Sequence, residues 1–277
     1  MLTIGLSTCG KKPLTDESFR EMVAAGIGAL EISNGDYDDF DFDNAKALAE
    51  KYGVKLWSLH LPFGGAVNCY NPADPDSAVR AFTDTRDREI IARAVEAGIT
   101  KFVVHPSCEP NAPDTRAERM KYSMEFLSNL ADYAAEKGAE LAVENLPRTC
   151  LGNRAAELKE IISANDKLRV CFDFNHSLGE DNSAYIKLLG DKIITTHVSD
   201  YDMIDERHWL PGEGKVDWVK MITLMERANY QGVWMYELGF KAPASIDRRV
   251  LTWQDFGDNA RTIFAKQQPA AIGKSLL

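Results

Sequence analysis

The sequence predicts an α/β fold of one kind, a (β/α)8 TIM barrel spanning residues 1–277 as a single domain. Three observations lead there. Eight short apolar runs alternate with helical stretches. Glycine recurs just after a helix and just before the next run. Polar, chemistry-bearing residues gather at the C-terminal ends of the runs, where a barrel of this kind builds its site.

In chain order the predicted strands are Leu2–Ser7, Ala29–Ser33, Lys55–Leu61, Lys101–His105, Glu140–Glu144, Leu168–Asp173, Ile193–Val198 and Gly232–Leu238. Each is nearly continuous in Val, Ile, Leu and Phe, as expected of parallel strands covered on both faces. Thr15 followed by Asp16 and Glu17 reads as an N-cap with a negative first turn. Met120, Met124, Leu127, Ala131 and Ala134 mark one face of the fourth helix, and Gly138 stops it. Gly26, Gly53, Gly98 and Gly138 are the repeated helix–strand joints. An open doubly wound sheet is the competing architecture. It has fewer strands and often a Gly-rich phosphate turn after the first, whereas here the first run leads into STCGKK. The long loops 62–77 and 199–215 both follow strands, which places them on the catalytic face.

Smaller features read as ordinary structure. The acidic stretch Asp36–Asp43 is a solvated loop ending in an Asp N-cap, not a Ca²⁺ site. PGEG at Pro211–Gly214 turns into the seventh helix, with Lys215 or Asp217 near its start. The segment from about 266 is polar and Pro-interrupted, a surface extension. Its GKS triplet lacks the upstream glycine of a phosphate loop, so no nucleotide cofactor is expected. Gly239 and Lys241 fall where barrels often place a phosphate site, without a Gly-rich loop to complete one.

Composition excludes several classes. Apolar residues make up 45% and charged residues 27%, ordinary for a folded soluble chain. Lys plus Arg is 32 against 42 Asp plus Glu, so the net charge of −10 disfavours gripping nucleic acid or an anionic membrane. No run is long enough to span a membrane, and the first residues lack the pattern of a signal peptide. The five cysteines (Cys9, Cys69, Cys108, Cys150, Cys171) show no C-x-x-C spacing, which fits a cytoplasmic location.

The strand ends carry Glu31, His60, His105, Glu144, Asp173, His197 and Glu237, with His176 and Asp200 just beyond. Four of the five histidines lie at or just after a strand end, and His208 lies in the long loop after the seventh. A barrel would bring these residues into one pocket. A lone histidine there would be read as a hydrogen-bonded structural residue. The whole set, beside Glu144, Asp173 and Glu237, reads as a divalent metal site. Three carboxylates in a partly dry pocket cannot all ionise without a counter-charge. Oxygen and imidazole ligands suit one Mn²⁺, Mg²⁺, Co²⁺ or Zn²⁺ ion, and no cysteine stands at a ligand position.

The ordered set ENLPR, CFDFNH, HVSD, ERHWLPGEGKVDW and YEL resembles the superfamily that joins xylose-isomerase-like sugar isomerases and epimerases to the endonuclease IV family. The resemblance spans the third to eighth strands. It implies that Glu144, Asp173, His197 and Glu237 form the core metal site and that His176 contacts substrate. It also implies a fuller, endonuclease-like ligand set in which His60, His105, His176, Glu206 and His208 hold additional metal, with Glu206 standing where that family has Asp. The chain departs from the ketohexose 3-epimerase pattern at two places. Cys150 stands in place of a second Glu, and Met203 at the offset of an Arg. Dimers and tetramers occur among relatives, so a homo-oligomer is compatible with the resemblance.

The chemistry such a site supports is proton abstraction next to a carbonyl through a metal-stabilised enediolate. Glu144 and Glu237 are the catalytic acid/base pair. His60, His105, His176, Arg207, His208 and Trp209 are expected to bind substrate, with Trp57, Phe63 and Trp218 as further candidate pocket walls. Returning the proton to the neighbouring carbon is isomerisation, and returning it to the opposite face is epimerisation. Expelling a β-substituent makes a lyase, such as a dehydratase or a 3-keto-glycoside eliminase. A multinuclear zinc phosphodiesterase is the further alternative. The expected partner is a small carbohydrate, with nucleic acid and membrane disfavoured.

Overall fold

The computed structural model describes residues 2–10, 13–33, 37–64 and 70–277. Its first half runs β1 (Thr3–Ser7), α1 (Asp16–Ala24), β2 (Ile27–Ile32), α2 (Phe42–Tyr52), β3 (Lys55–His60), α3 (Ser77–Glu96), β4 (Lys101–Val104) and α4 (Arg116–Glu136). The second half runs β5 (Glu140–Glu144), α5 (Ala155–Ile162), β6 (Arg169–Asp173), α6 (Asn182–Leu189), β7 (Ile193–His197), α7 (Trp218–Arg227), β8 (Val233–Tyr236), β9 (Ile246–Asp247), α8 (Trp253–Phe264) and β10 (Lys274–Ser275). The parallel sheet has the order β7-β6-β5-β4-β3-β2-β1-β8. It closes where the Val198 N–H donates to the Met235 carbonyl at 2.8 Å and the Glu237 N–H donates to the Val198 carbonyl at 3.2 Å. This is a TIM barrel, as the strand count requires.

The predicted strands run one or two residues longer than the observed ones at several ends. His105, Val198, Glu237 and Leu238 fall just outside the observed strand ranges, although Val198 and Glu237 still make the closing hydrogen bonds. The reason is that strands leave the sheet as they enter the βα loops, while their side chains keep the strand's alternation.

Local chemistry sets the joints. Thr15 caps α1 by accepting from the Ser18 N–H, and Ser18 Oγ accepts from the Thr15 N–H in return. Asp41 caps α2 and Asp217 caps α7, each accepting a backbone N–H three residues on. Asp36 itself lies outside the described residues, as does Cys69. The joints at Gly26, Gly53, Gly98 and Gly138 have φ of 86°, 67°, 90° and 75°, a region open to glycine. Asn229 takes the same role after α7 with φ 55°.

Inside the barrel, Ala29, Val233 and Met235 form one apolar layer with Trp57, and Val103, Ala142 and Cys171 form another with Ile194. Trp57 therefore packs within the barrel, and its indole N–H donates to Thr195 Oγ1 at 3.2 Å. Gly5 leaves room for this packing, since a Cβ there would sit 2.4 Å from Val233 Cγ1. Outward-facing residues such as Phe172, Trp234 and Tyr236 bury against the helices in one continuous core. The segment after α8 crosses the loops that follow β7 and β8. Gln268 accepts from the Trp218 N–H and donates to the Val216 carbonyl, and β10 pairs antiparallel with β9.

Candidate active site

Side-chain alternation puts chemistry at the top of the barrel. Along β5, Ala142 and Glu144 point inward; along β6, Cys171 and Asp173; along β7, Thr195 and His197; from β8, Met235 and then Glu237. The last inward position of each is polar. Glu144, Asp173, His197 and Glu237 thus bring one ligand atom each to within 4.8 Å of one another.

His197 sits at the centre with no exposed surface. Its Nε2–H donates to Glu31 Oε1 at 3.0 Å, and Ser58 Oγ–H donates to the other Glu31 oxygen at 2.7 Å. His197 Nδ1 faces Glu144 Oε1 at 3.1 Å and Glu237 Oε2 at 3.3 Å, with Asp173 Oδ2 at 4.0 Å. Glu31 thereby fixes the ring's orientation from below.

Asn145 holds the Asp173 backbone. Its Nδ2 donates to the Asp173 carbonyl at 2.8 Å, and the Asp173 N–H donates to its Oδ1 at 2.7 Å. Asp173 Oδ1 accepts from the Asn175 N–H, while buried Oδ2 has no hydrogen-bond partner among the described residues and faces His176 Nδ1 at 3.5 Å. Burial lifts the Asp173 carboxyl to about 6.

Three histidines face acceptors on both ring nitrogens. His60 Nδ1–H donates to the Leu61 carbonyl at 2.8 Å while Nε2 lies 3.1 Å from Glu144 Oε2. His176 Nδ1–H donates to the Asn145 carbonyl at 2.9 Å, and its Nε2 lies 3.5 Å from Glu206. His197 faces carboxylates on both sides. A neutral imidazole has one N–H, so such an arrangement calls for added positive charge, as protons or as a metal ion. Without a metal the protons supply it. Although burial alone would lower them, the neighbouring carboxylates raise the pKa of His60, His176 (to about 10) and His197.

The carboxylates respond in opposite directions. Burial works to raise the Glu144 pKa, but the charge of His197 and hydrogen bonds from His105, His176 and His197 hold it well below the usual range. Glu237 is raised by burial and by Glu144 and Asp173 together. His105 is pushed down to about 4 by burial. Phe63 stacks on its ring, 4.0 Å between centroids.

These residues floor a cavity of about 350 Å³ lined by His60, His105, Glu144, His176, Glu206, His208 and Glu237, with Phe63, Glu109 and Arg148 on its walls. His208, at φ 51°, donates from Nδ1 to the Glu237 carbonyl at 3.2 Å and leaves Nε2 for the pocket. Four further groups have ligand spacing: His60, His105 and Glu144; His176, Glu206 and His208; His60, His197 and Glu237; and Glu144, Cys171 and His197, the last placing a buried thiol at ligand distance where the sequence pattern predicts no cysteine.

Arg207 and Trp209 are not brought to the cavity wall. Arg207 turns back to Asp202 at 2.8 Å. Trp209 is 1% exposed and donates to Ser245 Oγ at 2.9 Å. The cause is the antiparallel bridge between Asp200 and Trp209, which folds the loop back and turns the indole away from the site. Trp218 is buried, donating to Asp200 Oδ2 at 2.9 Å. Asp200 organises this loop, since it also accepts the Gly212 and Val216 N–H groups.

Arg148 reaches the wall instead, bridging Glu109 at 2.9 Å, Asp205 at 2.8 Å and Glu206 at 3.2 Å. Sequence reasoning gave no role to Glu109 or Asn145. Asn145 was within reach of the pattern, because it directly follows Glu144 in ENLPR. Glu109 lies in a loop without periodicity.

A parallel barrel with buried imidazoles and carboxylates converging at the C-terminal strand ends defines the class of protein. A family model described as xylose isomerase-like TIM barrel matches residues 19–253, and the chain belongs to that family. An uncharacterized protein of Methanocaldococcus jannaschii is 28% identical over 67% of this chain, a match spanning 65% of that protein's length. Fructoselysine 3-epimerase of Shigella flexneri is 26% identical over 84% of this chain and 89% of its own. Among solved structures, a D-tagatose 3-epimerase-like protein superposes with a TM-score of 0.80 at 22% identity, covering 96% of this chain and 97% of that one.

Proposed function

We propose that this chain is a divalent-metal-dependent epimerase or isomerase of a sugar or sugar derivative, acting by proton abstraction next to a carbonyl. The observation that carries the reading is the buried Glu144–Asp173–His197–Glu237 group, with an Asp173 oxygen that has no hydrogen-bond partner among the described residues, beneath a cavity that Glu144 and Glu237 line. The donor set fits a divalent ion of the Mn²⁺, Mg²⁺, Co²⁺ or Zn²⁺ type, which would be held by these four residues. When bound, such an ion supplies the positive charge that stabilises a developing enediolate.

The chain's own groups then divide the work. Glu144 is clamped by imidazoles and rests as an anion. Glu237 has a raised pKa and a side chain 13% exposed to the cavity, so it is the better proton acceptor. Glu144 lies on the other side of the group, and a proton passed to it from the His176 ring, 3.3 Å away, would be the one returned to the opposite face while Glu237 keeps the proton it took. His176 and His208 present Nε2 to substrate oxygens. The names of the epimerase relatives agree with a carbohydrate substrate. A lyase on a keto-sugar would use the same groups.

The rim favours a substrate without phosphate. Arg148 is already paired with three carboxylates, and Lys241 is exposed. Arg248 draws the Gly239 and Lys241 carbonyls inward, and the first turn of α8 is capped by Thr252 and Asp255. Among the described residues nothing there is arranged to hold an anion.

The groups His60, His105 and Glu144, and His176, Glu206 and His208, favour a second reading, a multinuclear zinc phosphodiesterase. The acidic rim and the net charge of −10 oppose it, because a phosphate backbone would meet like charge.

The test is deuterium uptake. The metal-loaded protein is incubated in D₂O with a panel of ketoses, 3-keto-glycosides and their phosphates, and read by mass spectrometry. Exchange at a carbon next to the carbonyl, lost in Glu237→Gln, supports the reading. No exchange with any substrate, together with cleavage of a phosphodiester, would overturn it.

A further inference from the structure

The loop after β7 carries Glu206 and His208, and the loop after β8 begins at Glu237. They are joined by a buried ion pair. Glu213 and Arg248 both have side chains with no exposed surface, and Arg248 Nη1 donates to Glu213 Oε2 at 2.8 Å. The same Glu213 oxygen accepts the Leu210 N–H at 3.0 Å, two residues from His208. Arg248 Nη2 donates to the Gly239 carbonyl at 3.2 Å, two residues from Glu237. The pair therefore grips both loops by their backbones next to pocket residues.

The segment 266–277 closes over it. The Gly273 N–H donates to Glu213 Oε1 at 2.8 Å. The Leu276 N–H donates to the Ser245 carbonyl at 3.0 Å, on the loop that also receives the Trp209 indole. Contact is close at two glycines. A Cβ on Gly212 would lie 2.3 Å from the Pro269 carbonyl oxygen, and one on Gly273 would lie 2.8 Å from Arg248 Cβ and 2.9 Å from Glu213 Oε1. The predicted surface extension is thus the outer layer of a clasp.

We propose that the Glu213–Arg248 pair, sealed by the segment around Gly273, is a positioning element that keeps His208 and Glu237 in register across the pocket mouth. A buried ion pair is a costly way to gain stability, so its value lies in geometry. Glu213 accepts three donors and offers none. Glutamine in its place presents an amide N–H to at least one of them. The proposal takes from the functional reading only that His208 and Glu237 face the pocket, and its test needs no substrate.

The experiment compares the wild type with Glu213→Gln and Gly273→Ala. The second variant keeps both charges but forces the outer segment off the pair. Two readouts are taken: backbone hydrogen exchange by mass spectrometry, and ¹⁵N signals of the five histidine rings. The His208 signal reports its Nδ1–H bond to the Glu237 carbonyl. In both variants exchange across 205–212 should rise at least about tenfold while the β-strands keep their protection, and the His208 ring signal should shift or broaden. The proposal is overturned if His208 is unmoved and exchange rises only in 266–277 or evenly along the chain. The pair would then merely dock the tail or support the fold. If Glu213→Gln does not fold, Gly273→Ala decides.

Discussion

Replacing Glu31 by Gln probes the site from beneath without touching the cavity. Glu31 has no exposed surface and spends both oxygens on the site's support, one on His197 Nε2–H at 3.0 Å and one on Ser58 Oγ–H at 2.7 Å. The charge of His197 overcomes burial and lowers the Glu31 pKa, so Glu31 is an anion that holds Nε2–H and leaves Nδ1 as the nitrogen that would face a metal once its proton is displaced. The amide of Gln is nearly isosteric and can still accept from His197 with its oxygen. Its NH₂ then meets Ser58, whose hydroxyl can rotate to accept. The variant should fold, keep the ring in place and lose only the charge. Loss of an outer partner of a metal-binding histidine typically weakens metal affinity 10–100-fold, about 1.4–2.7 kcal/mol. With geometry conserved, Glu31→Gln should fall near the lower end and Glu31→Ala near the upper. Mn²⁺ titration followed by calorimetry, with thermal melting of the metal-free protein as a control, reads this directly. Unchanged affinity in Glu31→Gln, with a cooperative fold, would refute the claim that His197 is a ligand oriented by Glu31.

Other outcomes follow from the same geometry. Metal binding must displace protons from groups raised above their ordinary pKa, among them Asp173 near 6, so affinity should rise about tenfold per proton released per pH unit up to that value. Affinity that does not change between pH 5 and 7 would contradict it. Asp173→Asn removes as a ligand a buried oxygen that has no hydrogen bond among the described residues, so it should abolish tight metal binding without lowering the melting temperature of the metal-free protein. Asp87 in α3 is 1% exposed, and among the described residues neither carboxylate oxygen has a hydrogen-bond partner. Burial raises its pKa, so its contribution to stability is full below the unfolded-state value and is lost as pH rises through the folded one. Asp87→Leu should therefore stabilise the protein at neutral pH by about 1–3 kcal/mol and flatten the melting temperature from pH 4 to 8, whereas equal pH profiles would show Asp87 to be solvated. Sugar phosphates should bind more weakly than their parent sugars at low salt, with the gap narrowing as salt is added, and the opposite order would contradict the acidic rim.

The strands and their ends were legible because alternation is a strict rule. Once Ala142, Cys171, Thr195 and Met235 are placed inward, Glu144, Asp173, His197 and Glu237 must follow two residues later. The helix–strand joints were legible for a similar reason, since a left-handed residue must stand there and glycine does so at least cost. Loops obey no such period. Arg207 and Arg148 are both basic residues near strand ends, and nothing in their spacing shows that one pairs with Asp202 while the other reaches the cavity. Trp209 reads as an aromatic wall until the Asp200–Trp209 bridge turns it towards Ser245. The segment beyond Phe264 is too short and polar to show a pattern. Its hold on the barrel comes from Gln268 and the Gly273 N–H, contacts that only the folded chain assembles.

The central claim is that Glu144, Asp173, His197 and Glu237 hold a single catalytic ion. The most direct measurement is metal content per chain by plasma mass spectrometry, on protein purified without chelator or a nickel column, beside Asp173→Asn. The account predicts about one Mn, Co, Mg or Zn equivalent, lost in the variant. Two or three tightly held zinc ions would make His60, His105 and His208 ligands and move the phosphodiesterase reading to the front. A protein that binds no divalent ion on titration, or whose bound ion survives Asp173→Asn unchanged, would contradict the claim.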